Sequence, residues 1–130
     1  MIRVFKKYPL SILAILAITL LSLINTPQSN IESFKLSDKI AHFFLYLFFE
    51  LLLWFEHGKN NNCFPKISNL IIIIIFPILF GGVMELGQKY LTETRSAEWL
   101  DFIANTAGVL TAAVIGAFVL WPIQKKRYMS

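Results

Sequence analysis

Charge is scarce in this chain: Lys, Arg, Asp and Glu make up 15% of it, against roughly 25% in an ordinary soluble domain. So few charges cannot cover a water-facing surface of this size, which argues against a soluble globular fold. Cysteine occurs once, as Cys63, which excludes an internal disulfide and a thiolate metal motif. It lies in a polar stretch and reads as a free surface thiol. There is no Gly-rich phosphate loop, no activated-serine motif and no His-Glu-x-x-His or paired-histidine pattern, so the common phosphate, acyl-transfer and metalloprotease chemistries have no signature here. The net charge of +4 comes from basic residues beside apolar runs, without the basic-aromatic interleaving of a nucleic-acid surface, and no nucleic-acid partner is expected.

What is abundant is hydrocarbon. Hydrophobic residues make up 56% of the chain, and the mean hydropathy is +0.62. They fall into four runs, at about 9–25, 38–56, 67–88 and 99–121. The expected fold is all-α, a four-span transmembrane helix bundle forming one domain over residues 1–130. No soluble catalytic domain fits beside four spans, so any chemistry must come from helix ends and short connections. Arg3, Lys6 and Lys7 precede the first run like a signal peptide's basic region. The run is long for a signal core, and Asn25-Thr26-Pro27 offers no small-x-small cleavage site, so an uncleaved span is expected.

Span two carries His42 and Glu50 within its apolar run. Between Ile40 and Phe55 lie eleven Leu, Ile or Phe residues, which favour insertion by very roughly 3 to 7 kcal/mol against about 3 for one central carboxylate. Ser37 or Asp38 is its expected N-cap, and His57 to Lys66 the loop that follows. Span three includes five consecutive isoleucines and continues to Gln88, too long for a strand; Pro77 should kink it. In span four, Gly108, Ala112 and Gly116 recur every four residues and suit close helix packing.

Arg3, Lys6, Lys7, Lys59, Lys66, Lys125, Lys126 and Arg127 would share one side, eight of the twelve basic residues. The positive-inside rule then places both termini in the cytoplasm and the protein in the bacterial inner membrane as a multi-pass cell-membrane protein. Trp99 and Trp121 suit the two interfaces of span four.

Polar groups in spans mark function more often than they do on a soluble surface. Asp38, His42, Tyr46 and Glu50 are spaced by four and form one helical stripe about 18 Å long at 1.5 Å per residue. Glu85 and Gln88 lie one turn apart at the outer end of span three. Asp101, Asn105 and Gly108 share a face at the outer end of span four. Arg95, on the adjoining connection, is a natural counter-ion. Asp38, His42, Glu85, Gln88, Arg95, Asp101 and Asn105 are therefore the candidate ligand site. Arg95 would hold an anion, Glu85 or Asp101 would accept protons or hydrogen bonds, and Gln88 and Asn105 would orient the ligand. Tyr46 and Glu50 form a weaker candidate relay, with Glu50 bonded to Tyr46 or to a backbone carbonyl. Structural readings stand beside these: Asp38 as a cap, His42 as a satisfied core group, and Glu85, Arg95 and Asp101 as ion pairs fixing a connection. His plus carboxylates can ligate divalent ions, but nothing in the spacing selects a metal, and no metal or cofactor is expected.

These residues stand in a familiar order. Asp38-Lys39-Ile40-Ala41-His42-Phe43-Phe44-Leu45-Tyr46, Glu85-Leu86-Gly87-Gln88, Arg95 and Asp101-Phe102-Ile103-Ala104-Asn105-Thr106-Ala107-Gly108 resemble the Asp-Lys-x-x-His-x-x-x-Tyr, Glu-x-x-Gln, Arg and Asp-x-x-x-Asn-x-x-Gly elements of the VanZ-like family. These are small membrane proteins named for an accessory glycopeptide-resistance protein. The resemblance covers roughly residues 38–116. It departs before Arg95, where the family's Pro-Gly-Arg type of turn is replaced by Thr92-Glu93-Thr94. What it implies is an envelope role at the outer leaflet, with membrane lipids and a lipid-linked envelope precursor or a glycopeptide such as teicoplanin as partners. A non-enzymatic accessory subunit and a small proton or ion conductor are the competing readings. Whether the chain is an enzyme, and its oligomeric state, stay open at this level.

Overall fold

A computed structural model describes residues 2–24, 32–61, 63–92 and 98–129. Every regular element among them is helical. In order they are α1 (Ile2–Lys7), α2 (Pro9–Leu23), α3 (Glu32–Asn61), α4 (Ile67–Leu91), α5 (Trp99–Ile115), a π-helical turn (Gly116–Leu120) and α6 (Trp121–Met129). Two helical stretches, Ile67–Leu91 and Trp99–Arg127, are long and apolar enough to cross a membrane. Helix α2 is apolar but has 15 residues, about 22 Å at 1.5 Å per residue. Helix α3 is long enough, at 30 residues, but carries several charges.

The expected helix N-cap at Ser37 or Asp38 is corrected. Asp38 is not an N-cap: α3 begins by Glu32 and runs through Asp38 without a break. From Glu32 to Glu56 the chain has neither Gly nor Pro, so nothing interrupts the hydrogen-bond ladder. The expected loop after that span also begins too early, because α3 continues to Asn61. Gly58 lies inside the helix, and a Cβ there would stand 1.8 Å from Gln124 Oε1. Its missing side chain admits Gln124, whose Nε2 donates to Phe55 O at 2.9 Å. Pro77 sits buried inside α4, which passes through it.

Helices α3 and α5 form the closest-packed pair. The small residues of α5 make this possible: a Cβ on Gly108 would lie 2.3 Å from Phe43 O, and one on Gly116 would lie 2.3 Å from the Trp54 ring. Ala112 between them is fully buried. The core beside this seam joins Ile18, Tyr46, Phe49 and Val109. Phe49 packs edge-on against Phe76 and Phe80 of α4, with centroids 6.5 and 6.0 Å apart. Outward faces carry Leu13, Leu16, Leu20, Ile72, Leu79, Val114 and Phe118, all exposed. An apolar exterior of this extent is the inverse of a soluble surface.

Candidate functional site

Three helices bring polar side chains together at one end of the bundle. From α3, His42 turns inward because Phe44 and Phe48 occupy the outer face; its Nδ1 lies 3.0 Å from Asn105 Oδ1 of α5. Asn105 Nδ2 in turn donates to Glu85 Oε1 of α4 at 3.2 Å. The amide therefore accepts on one side and donates on the other, which assigns the proton to His42 Nδ1. Glu85 Oε1 also lies 3.7 Å from His42 Nδ1, and the Glu98 backbone N–H faces the Glu85 carboxyl. His42, Glu85 and Asn105 are all buried. Gly81 lets this triad close: a Cβ there would meet Tyr46 at 3.2 Å and Asn105 at 3.4 Å.

Beside the triad is an ionic corner. Lys39 Nζ lies 2.7 Å from Glu98 Oε2 and 3.1 Å from Asp101 Oδ1. Asp101 is buried in the first turn of α5, where a carboxylate also favours the positive end of the helix dipole. Asp38 Oδ2 is 3.9 Å from His42 Nε2, one turn away on α3. One donor atom each from Asp38, His42 and Asp101 fall within 4.8 Å of one another, a set suited to a divalent ion. The Lys39 ammonium already stands on the Asp101 side of that triangle and supplies positive charge there.

Of the residues expected from sequence, Asp38, His42, Glu85, Asp101 and Asn105 thus meet. Gln88 is buried one turn along α4 from Glu85. Arg95 lies outside the described residues. Lys39 and Glu98 belong to the site and were not singled out. The sequence signal for Lys39 was its place beside Asp38 in the quoted motif. The expected partner of Glu50 is corrected: its Oε1 accepts from Trp54 Nε1 at 2.9 Å, not from Tyr46 or a backbone carbonyl. Tyr46 OH and Glu50 Oε2 are buried and have no hydrogen-bond partner among the described residues, so no hydrogen bond joins them into a relay.

A second polar layer lies at the other end of α3. The Glu56 carboxylate accepts from Leu10 N (2.8 Å), Ser11 N (3.0 Å) and Ser11 Oγ (2.6 Å), the first free donors of α2. Next to it, His57 Nδ1 lies 3.1 Å from Tyr8 OH and 3.3 Å from Asn61 Nδ2. With two donors facing Nδ1, the ring proton belongs on Nε2. Burial lowers the His57 pKa from its ordinary value, and Lys7 lowers it further. Burial raises that of Tyr8. The sequence placed Glu56 and His57 at the edge of the second span and did not pair them with Ser11 or Tyr8.

No protein-family model, no curated protein and no solved structure matches the chain.

Proposed function

We propose that the chain is a four-span membrane protein of the VanZ-like kind, with both termini cytoplasmic and the His42–Asn105–Glu85 cluster facing outward. In this reading α2 and residues 38–56 of α3 are the remaining two spans, and the cell is bacterial. The cluster binds a lipid-linked envelope precursor or a glycopeptide at the outer leaflet. The observation that carries the reading is the convergence of buried polar groups from α3, α4 and α5 at one end of an apolar bundle. Buried polar groups are costly in hydrocarbon, and a bundle needs none of them merely to pack.

Teicoplanin susceptibility tests it, in cells making wild type, Glu85→Gln or Asp101→Asn at matched membrane levels. Protection by the wild type that is lost in both variants is the expected result. No protection by the wild type removes the resistance reading.

One observation favours a second reading, an accessory subunit with a structural cluster. Asn105 serves His42 and Glu85 at once, and Lys39 serves Glu98 and Asp101, so the groups satisfy one another without a ligand. Under that reading the same variants lower membrane abundance and change nothing else.

A further inference from the structure

The hydrogen bonds behind His42 fix what its far side presents. Glu85 Oε1 accepts from Asn105 Nδ2 at 3.2 Å, which turns Asn105 Oδ1 toward the imidazole. His42 Nδ1 lies 3.0 Å from that oxygen and holds the ring proton. In the neutral ring, Nε2 therefore carries a lone pair. Among the described residues no N–H or O–H donates to it, although His42 is only 6% exposed. What stands before it is another acceptor, Asp38 Oδ2 at 3.9 Å. Two acceptors that face each other inside a bundle repel unless a proton or a metal ion is shared between them.

Asp101 completes the set. One donor atom each from Asp38, His42 and Asp101 lie within 4.8 Å of one another. Ligands at about 2.0–2.1 Å around a tetrahedral zinc ion stand about 3.4 Å apart, so no edge of the triangle need close by more than about 1.4 Å. Asp38 is its exposed corner, with 36% of the side chain open, and Asp101 its buried one, with 4%. Asp38 also has a further partner. A carboxylate has about four lone-pair sites, and a ligating carboxylate ordinarily keeps such an outer hydrogen bond. Lys39 Nζ lies 3.1 Å from Asp101 Oδ1 but 2.7 Å from Glu98 Oε2. The ammonium therefore has a closer acid of its own and competes with an ion for one Asp101 oxygen. The ring selects the ion: an imidazole nitrogen with carboxylates suits zinc and its first-row neighbours, whereas magnesium and calcium favour oxygen alone.

We propose that Asp38, His42 and Asp101 bind one divalent transition-metal ion of the zinc type. His42 supplies Nε2 and each aspartate supplies one oxygen. The Glu85–Asn105 pair is the outer support that holds the ring in the ligating tautomer. Three protein ligands leave a fourth position open, as at catalytic rather than structural zinc sites, and that position takes water or an anionic oxygen of a ligand. Spacing within the sequence selects no metal, because Asp101 reaches the other two ligands only through the packing of α5 on α3. The site stands whichever side of the membrane this end of the bundle faces, so it does not depend on the glycopeptide reading.

The chain has two histidines, His42 and His57, and one cysteine, the exposed Cys63, so competing ligands are few. Untagged full-length Cys63→Ser protein in nanodiscs, treated with a chelator and exchanged into metal-free buffer, would be titrated with zinc chloride. Nitrogen NMR of the two imidazole rings, assigned with His57→Asn, reads which ring nitrogen takes the ion. Calorimetry reads affinity and stoichiometry. One zinc per chain is expected, with the His42 Nε2 signal moving, the His57 signals still and excess magnesium without effect. Asp38→Asn, at the exposed corner, is expected to weaken binding by at least the ~10–100-fold typical of an outer-shell change. Lys39→Gln, which removes the competing ammonium, is expected to tighten it by up to ~fivefold, the worth of one ion pair. A His42 signal that zinc leaves in place overturns the proposal. So does binding that survives Asp38→Asn, which is an adventitious ion only, or binding that Lys39→Gln weakens. Zinc binding without glycopeptide protection removes only the resistance reading, and protection without zinc binding removes only this site.

Discussion

Replacing Glu56 tests the second polar layer most directly. Pro9 begins α2 and has no N–H, so Leu10 and Ser11 carry the first orphan donors of that helix. Tyr8, the residue in the cap position, makes no side-chain cap bond. The cap is tertiary: it comes from Glu56, at least 45 residues away. In Glu56→Ala the helix loses a cap, about 1 kcal/mol. The buried Ser11 N–H and hydroxyl are left without their acceptor, at about 1–3 kcal/mol for a buried donor. The Leu10 N–H bond is only part-buried, so it is left out of the sum. The sum is about 2–4 kcal/mol, or ~30-fold or more in the opening equilibrium at 1.4 kcal/mol per decade. Amide hydrogen exchange at Ser11 reads that local opening, and reversible unfolding in mixed detergent micelles reads the global cost. Glu56→Gln keeps one acceptor but turns an amide NH₂ toward donors, so it falls between wild type and Glu56→Ala. Ser11 exchange unchanged in Glu56→Ala would refute the cap.

Two further outcomes follow from packing and charge. Gly108→Ala puts a methyl 2.3 Å from Phe43 O, a backbone clash that only separation of α3 and α5 relieves. A loss of about 2 kcal/mol or more is expected in the same unfolding assay, whereas Ala107→Ser on the adjacent position should change little. His57 has its pKa lowered in the folded state by burial and Lys7, so the unfolded chain binds the extra proton more readily. Its contribution to stability is whole above the ordinary histidine value of about 6.5 and is lost as pH falls from there through the folded pKa. Unfolding midpoints taken from pH 8 to pH 5 should fall for wild type and fall less for His57→Asn.

The His42–Asn105–Glu85 cluster was legible in the sequence because its spacing is local. Asp38 and His42, and likewise Asp101 and Asn105, are four apart, which fixes their shared faces once each run is helical. Five successive isoleucines made α4 unambiguous. The small residues Gly108, Ala112 and Gly116 marked the face that α3 now covers. What stayed hidden depends on partners distant in sequence. Glu56 and His57 read as the polar rim of a span because nothing nearby announces Ser11 or Tyr8 as their partners. Gly58 read as a loop glycine, although it serves the approach of Gln124 across 66 positions of chain. Lys39 read as a flanking charge until Glu98 and Asp101 arrived from α5.

The same logic separates a binding cluster from a merely structural one. Each of His42, Glu85 and Asn105 is bonded to, or lies beside, another of the three. Removing one alone orphans buried neighbours, at about 1–3 kcal/mol per buried group. Asn105→Leu should therefore destabilise, since it strips a partner from both His42 and Glu85. Replacing all three with apolar residues of similar size, His42→Phe, Glu85→Leu and Asn105→Leu together, removes every orphan at once. Such exchanges are often neutral or stabilising, so the triple variant should regain most of the stability that Asn105→Leu loses. If the cluster exists for a ligand, the restored bundle will have lost any glycopeptide protection. A triple variant that is folded, abundant and fully functional would leave the cluster no role but packing. A triple variant less stable than Asn105→Leu would mean that the polar network itself holds α3, α4 and α5 together.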